Sequence, residues 1–256
     1  MGKELKNKPL IEAIFELKWD LQDLPNGGKG DPNYRILVGM LYEKLNQDYP
    51  FIEPLETASM PDEMVAHIVQ NRFRVDEQKW PLMQIGPGII TINDTENYKW
   101  EDFEERILKV VSTFIDIYPN PQNLNINSIS LRYINAIGDF NNSDNMIQFL
   151  KEKMHTNVEF HEKLFENTGV RAEPLGFDFK TTFKSINPEG AVMLRFAKGE
   201  FEDVSKLVME TMVISIGEDI PNKDEIQEWI KKAHTLTDDW FFKIIEGELE
   251  KRFEEV

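Results

Sequence analysis

The sequence predicts an α+β protein: two pseudo-repeated strand-helix-strand-strand-helix halves sharing an antiparallel sheet, with helices packed on one face. Three observations predict it. Residues 9–19 alternate apolar and polar side chains with the period of a half-buried strand. Two later runs, 100–118 and 226–253, repeat apolar residues at helical spacing. Residues 9–118 and 124–256 then show the same order of elements, without detectable identity between them. The halves are therefore placed at 1–120 and 121–256, as one compact body.

Each element has a local cause. In the first strand Ile11, Ala13, Phe15, Leu17 and Trp19 share one face, while Glu12, Glu16 and Lys18 share the other. The turn-rich "LPNGGKGDPN" comes next. From Asp31 a helix is expected up to the stop at Pro50, with a stripe of Ile36, Met40, Leu41 and Leu45. "MVAHIVQNRFRV" reads as a second strand.

"QIGPGIITINDT" is the ambiguous stretch, since glycine-rich loops also cradle phosphates. Pro87 has no N–H to offer an anion, and the next residues, "IITIND", read as an apolar strand instead of a helix. Pro87–Gly88 fits the centre of a type II turn, so Leu82–Ile85 and Ile89–Asp94 are expected to pair as a hairpin. The helix opening at "WEDF" carries acids in its first turn, where the helix dipole favours them. It buries Phe103, Ile107, Val110, Val111, Phe114 and Ile115.

After the break "PNPQNLN" come a strand at "NSISLRYINAIGDF", a short helix at "NMIQFLKEKM" and a hairpin turning at Asn187–Gly190. "KLVMETMVISI" is apolar on both sides, as a covered strand should be. Asn222, with Glu225 three residues on, caps one long final helix. Its buried stripe is Ile226, Trp229, Ile230, Ala233, Trp240, Phe241, Ile244 and Phe253.

Composition narrows function by exclusion. No cysteine is present, which removes disulfides, thiol nucleophiles and cysteine-ligated zinc and fits a reducing compartment. The opening "MGKELKNKPLIEAIF" lacks the apolar core of a secretion signal, and no segment has the apolar length of a membrane span. The expectation is a cytoplasmic protein without a membrane partner. A net charge of −17 repels polyanions, so nucleic acid is disfavoured and a basic protein partner is favoured. Self-association is compatible with the composition.

No catalytic signature emerges. His155 and His161 are six residues apart without ligand-spaced carboxylates, and no metal site or cofactor is expected. His67, in a strand, and His234, on the last helix, read first as buried hydrogen-bonding histidines. There is no "GxSxG" elbow. "EDFEER" and "EGELEKRFEE" read as solvated helix faces.

One pattern survives. The non-apolar face of successive strands carries Arg72, Arg74, Arg132, Lys180, Lys184 and Arg195, with Gln84, Thr91, Asn93, Ser130 and Thr182 on the same side. An arginine-rich open face would fork onto carboxylate or phosphate. The competing use is cross-strand pairing with Glu12, Glu16 and Asp178.

"PLIEAIFEL", "PLMQIGPGIITIND" before "YKWEDFEERI", and "SISLRYINAI" together resemble a sporadically distributed family of bacterial conserved-hypothetical proteins of similar length. "EIQEWIKKAHTLTDDWFFKIIEGELEKRF" resembles its closing helix, while the stretch before that helix departs from the family's short acidic strand. The family has no established activity to transfer, so the resemblance assigns no catalytic residue. Its scattered occurrence implies mobile genes of the defence or toxin–antitoxin kind. The expectation is a non-catalytic binding protein for a protein partner encoded in the same operon, such as a neutralising component. The alternative is a small-anion or nucleotide module using the basic sheet face.

Overall fold

The computed structural model describes residues 5–24, 27–61, 64–95, 97–140, 145–201 and 204–255. In chain order its elements are β1 (Leu10–Trp19), β2 (Gln22–Asp23), β3 (Lys29–Gly30), α1 (Tyr34–Leu45), β4 (Phe51–Pro54), β5 (Asn71–Arg74), β6 (Leu82–Gly86), β7 (Ile89–Asp94) and α2 (Trp100–Ile117). Then come β8 (Ile126–Phe140), α3 (Met146–Lys153), β9 (Asp178–Ile186), β10 (Glu189–Phe201), β11 (Val204–Ile216), α4 (Ile226–Ile245) and α5 (Glu248–Glu254). The α+β class is as the periodicities predict.

Nine strands form one antiparallel sheet in the order β4-β5-β6-β7-β1-β8-β11-β10-β9, and β2 and β3 make a separate small ribbon. The long strands β1 and β8 meet at its centre, with Phe15 opposite Leu131 and Ile14 opposite Arg132. Period two then sorts every side chain. Phe15, Leu17 and Trp19 of β1 share a face with Ile129 and Leu131 of β8, all fully buried. Against that face α1 sets Leu37, Leu41 and Leu45, α2 sets Phe103, Ile107 and Phe114, and α4 sets Trp229, Ile230 and Ala233. Trp19 also donates its indole N–H to Asp31 Oδ2 at 2.8 Å, so the one polar atom it buries is satisfied.

A second core lies further along the same face. Ile137, Phe196, Leu207 and Met209 of the sheet pack there with Met146, Leu150, Ile245, Leu249 and Phe253. The covered face therefore holds two apolar clusters instead of one continuous core.

Several expectations shift in detail. The helix expected from Asp31 to Pro50 spans Tyr34–Leu45, and its buried stripe is Tyr34, Leu37, Leu41 and Leu45; Ile36 is exposed. The strand expected over 64–75 is regular only at β5. His67 sits at φ +56°, although Gln70 N–H still donates to Ile85 O and His67 N–H to Pro87 O. This irregular run crosses β6 at Gly86, where a Cβ would stand 1.9 Å from the Ile68 carbonyl oxygen. The single final helix is two: Gly247, at φ +106°, breaks it between α4 and α5. The Asn222 cap holds, its N–H donating to Glu225 Oε2 at 3.1 Å.

Candidate functional site

The strand-borne bases fall into two groups. Arg72 and Arg74 lie on β5, Arg132 on β8, Arg195 on β10, and Lys180 and Lys184 on the edge strand β9. Four strand spacings separate β5 from β8, roughly 19 Å, so these bases do not make one patch.

Most of the guanidiniums are also engaged. Arg195 forks onto Asp178 with two bonds of 2.7 Å and reaches Glu210 Oε2 at 3.1 Å. Arg132 Nε lies 2.9 Å from Glu210 Oε1, a close charge contact without aligned hydrogen-bond geometry. Arg74 Nε donates to Glu53 Oε2 at 2.7 Å, and Arg72 Nε to Gln84 Oε1 at 2.8 Å. Asp178 plays the pairing role expected of it, but Glu12 and Glu16 do not. Glu12 accepts from Asn93 Nδ2 at 2.8 Å, and Glu16 pairs with Lys18 at 2.6 Å. Glu53 and Glu210 take their place. The register explains the substitution: Arg195 stands opposite Glu210, and Arg72 opposite Glu53.

A different site emerges on the covered face, between the two apolar cores. On β8 the inward phase runs Ile129, Leu131, Tyr133, Asn135, Ile137, and on β11 it runs Leu207, Met209, Thr211, Val213. Thr211 stands opposite Tyr133, and Met209 opposite Asn135. Three polar side chains thus stand together on the covered face. They floor a cavity of about 540 Å³.

Its walls come from three directions. Helix α4 contributes His234, Thr237, Asp238 and Phe241, spaced so that they share one face. The start of α2 and the turn before it contribute Tyr98, Lys99, Trp100 and Glu101, and the segment entering β1 contributes Leu5, Lys8, Pro9 and Leu10.

A hydrogen-bonded chain links floor to wall. Tyr98 and Tyr133 hydroxyls are 3.0 Å apart, and the Tyr133 hydroxyl is 3.0 Å from His234 Nδ1. Either polarity of the chain satisfies the geometry, because each hydroxyl can donate or accept. Trp100 stacks flat on the His234 ring at 3.7 Å and 10°. Burial pushes the His234 pKa down to about 4, against the opposing pull of Glu101. The imidazole is therefore neutral at neutral pH. Burial raises both phenols, so Tyr98 and Tyr133 keep their protons. Asp238 is raised as well, by burial first and then by the charge of Asp239.

The floor is polar and faces the cavity. Asn135 is 4% exposed as a residue, and it lines the cavity. Thr237, also buried, is satisfied within its own helix by the Ala233 carbonyl at 3.0 Å. Aromatic walls and a neutral hydrogen-bonding floor that includes the Asn135 amide equip the cavity to take up a small polar-edged molecule.

The expectation that His234 is a buried hydrogen-bonding histidine agrees with this geometry. His67 is likewise half-buried and hydrogen-bonded, its Nδ1 lying 2.9 Å from the Gly88 carbonyl, and His155 Nε2 lies 3.0 Å from the Glu246 carbonyl. Among the described residues no group of three or more His, Asp or Glu side chains has a metal-holding arrangement. No described helix is long and apolar enough to cross a membrane. Sequence reasoning does not find Tyr133, Asn135 and Thr211 as site residues. Their signal is polar residues in the apolar phase of two strands.

Comparison with known proteins adds no assignment: no protein-family model matches the sequence, and no curated protein matches it.

Proposed function

We propose that this chain is a non-catalytic binding protein that holds a small organic ligand in the cavity between its two cores. The carboxamide of Asn135, a polar group in the inward phase of β8 that lines the cavity, carries the reading. A polar side chain on an inward strand face needs hydrogen-bond partners, and in a cavity these come from water or from a bound molecule. The cavity volume lies within the usual range of small-ligand sites, and its aromatic walls would desolvate the faces of a bound molecule. The neutral, hydrogen-bonding floor supports binding as the reading. This moves the small-ligand function from the basic sheet face, where carboxylates already occupy most of the arginines, to the covered face.

The test is retention. The protein is incubated with the small-molecule fraction of a cell extract, washed, denatured, and the released molecules identified by mass. Wild type should retain a defined compound that Asn135→Leu loses while keeping its fold. Equal retention by both, or none by either, overturns the reading.

A specific observation also favours a protein partner. The irregular segment 155–177 is largely exposed and carries Leu164, Val170 and Leu175 at 61%, 62% and 96% exposure. It leads into β9, the edge strand of the sheet, whose Phe183 and Ile186 are exposed too. An apolar segment beside a free sheet edge offers strand addition to another chain. An operon-encoded partner of the defence or toxin–antitoxin kind, met in the cytoplasm, would then bind here. Absence of any stoichiometric partner on purification from the native operon in gentle salt counts against this second reading.

The strand order supports the pseudo-repeat as part of the same proposal. In 1–120 the first strand, β1, pairs with the last, β7, and β6, β5 and β4 continue outward. In 121–256 β8 pairs with β11, and β10 and β9 continue outward. The two series meet where β1 and β8 run antiparallel, as an approximate twofold would require. The cavity then lies beside that axis, where neither half alone completes a core.

A further inference from the structure

The chemistry of the cavity narrows its ligand, on the reading just proposed. Its charged residues are Lys8, Lys99, Glu101 and Asp238, two of each sign. With His234 neutral, the lining has no net charge to attract an ion. Lys8 Nζ already donates to the Tyr98 carbonyl at 2.7 Å, and Lys99 and Glu101 lie at the exposed mouth. The buried groups are a carboxamide, a threonine hydroxyl and a phenol-imidazole chain, each able both to donate and to accept. A strong anion would find no buried cation, and a strong cation would meet two lysines at the entrance.

We infer that the cavity takes a neutral planar heterocycle of the nucleobase kind, its edge hydrogen-bonded to Asn135 and its faces against the aromatic wall. A carboxamide presents a donor and an acceptor side by side. It therefore matches an edge that carries the complementary pair, as asparagine does on adenine. Trp100, Tyr98 and Phe241 line the cavity and supply its aromatic surface. Thr211, beside Tyr133 on the floor, offers a further hydroxyl to a ring substituent. The cavity mouth, with Lys99 and Glu101, is where a sugar on the base would emerge.

Calorimetric titration of the full chain at neutral pH with adenine, guanine, cytosine, uracil and their nucleosides tests this. Benzylamine and benzoate serve as charged aromatic controls. At least one base or nucleoside should bind, the two controls should not, and Asn135→Leu should weaken binding about tenfold or more. Asn135→Asp keeps the shape but replaces the donor by an acceptor, so it should change which base is preferred. It also serves if the leucine variant does not fold. No binding by any base or nucleoside, or unchanged binding and preference in both variants, overturns the inference. If the extract experiment yields an Asn135-dependent ligand of another class, the cavity reading stands and the heterocycle assignment falls.

Discussion

Acidification from pH 6.5 to pH 4 should cost this protein about 3 kcal/mol more stability than it costs a His234→Gln variant. The cause is the burial of a neutral imidazole beneath Trp100 and beside Tyr133. The folded pKa is lowered from 6.5 to about 4, and each unit is worth about 1.4 kcal/mol. Between those values the unfolded chain binds a proton that the folded chain refuses. Stability is therefore fully present above the unfolded pKa and is lost as pH falls towards the folded one. Asp94 and Asp238, both raised by burial, act in the opposite direction, since the folded state takes up their protons more readily. Comparison with the variant cancels them. The glutamine of the variant does not titrate, yet its amide can still meet the Tyr133 hydroxyl. Urea denaturation of both proteins at several pH values measures the difference. Parallel curves would contradict the burial of a neutral His234.

Glu210→Ala should destabilise the protein by about 3 kcal/mol. Glu210 is 5% exposed and is approached by two guanidiniums, Arg132 Nε at 2.9 Å and Arg195 Nη1 at 3.1 Å. Removing one partner of a buried charge cluster leaves the others uncompensated, which typically costs about 3–5 kcal/mol. The figure sits at the low end because both arginines are about one-third exposed and can hydrate. Arg195 also keeps its fork on Asp178, whose carboxyl that hydrogen bond holds below the usual range. Asp178→Ala should cost much less, because its carboxylate is solvated and screened. If Glu210→Ala is neutral while Asp178→Ala is costly, the central strands are not held by this cluster. In neither variant should ligand uptake change, since both residues project from the face opposite the cavity.

Where local chemistry decides structure, the residues themselves are readable. Pro87–Gly88 specifies the β6–β7 turn, and Gly88 does take a positive φ of 79°. The stripe of α2 and the Asn222–Glu225 cap are legible for the same reason. β4 escapes such a reading because "FIEP" is four residues without a buried alternation, held at an edge by β5 alone. The break at Gly247 is hidden because apolar spacing continues through it to Phe253. Strand period alone puts the arginines on their common face, since it needs no partner to be known. Their carboxylates, Glu53 and Glu210, depend on register across strands far apart in sequence. The cavity is harder still. Tyr98, Tyr133, Thr211 and His234 come from four separate segments, and only the meeting of β8 with β11 under α4 makes them neighbours. Asn135 in isolation reads as one polar residue in a strand. Its meaning lies in the cavity that it lines.

The most direct measurement is a nuclear magnetic resonance map of where a ligand sits. The isotope-labelled protein is titrated with the compound released from the extract experiment, or with the tightest-binding base. Signals of the Trp100 indole N–H, the His234 ring and the Asn135 side-chain amide should shift together and saturate. The Nε signals of Arg132 and Arg195, on the opposite face, should stay in place. Shifts confined to those arginines, or to the β9 edge and segment 155–177, with the cavity signals unmoved, would contradict the account.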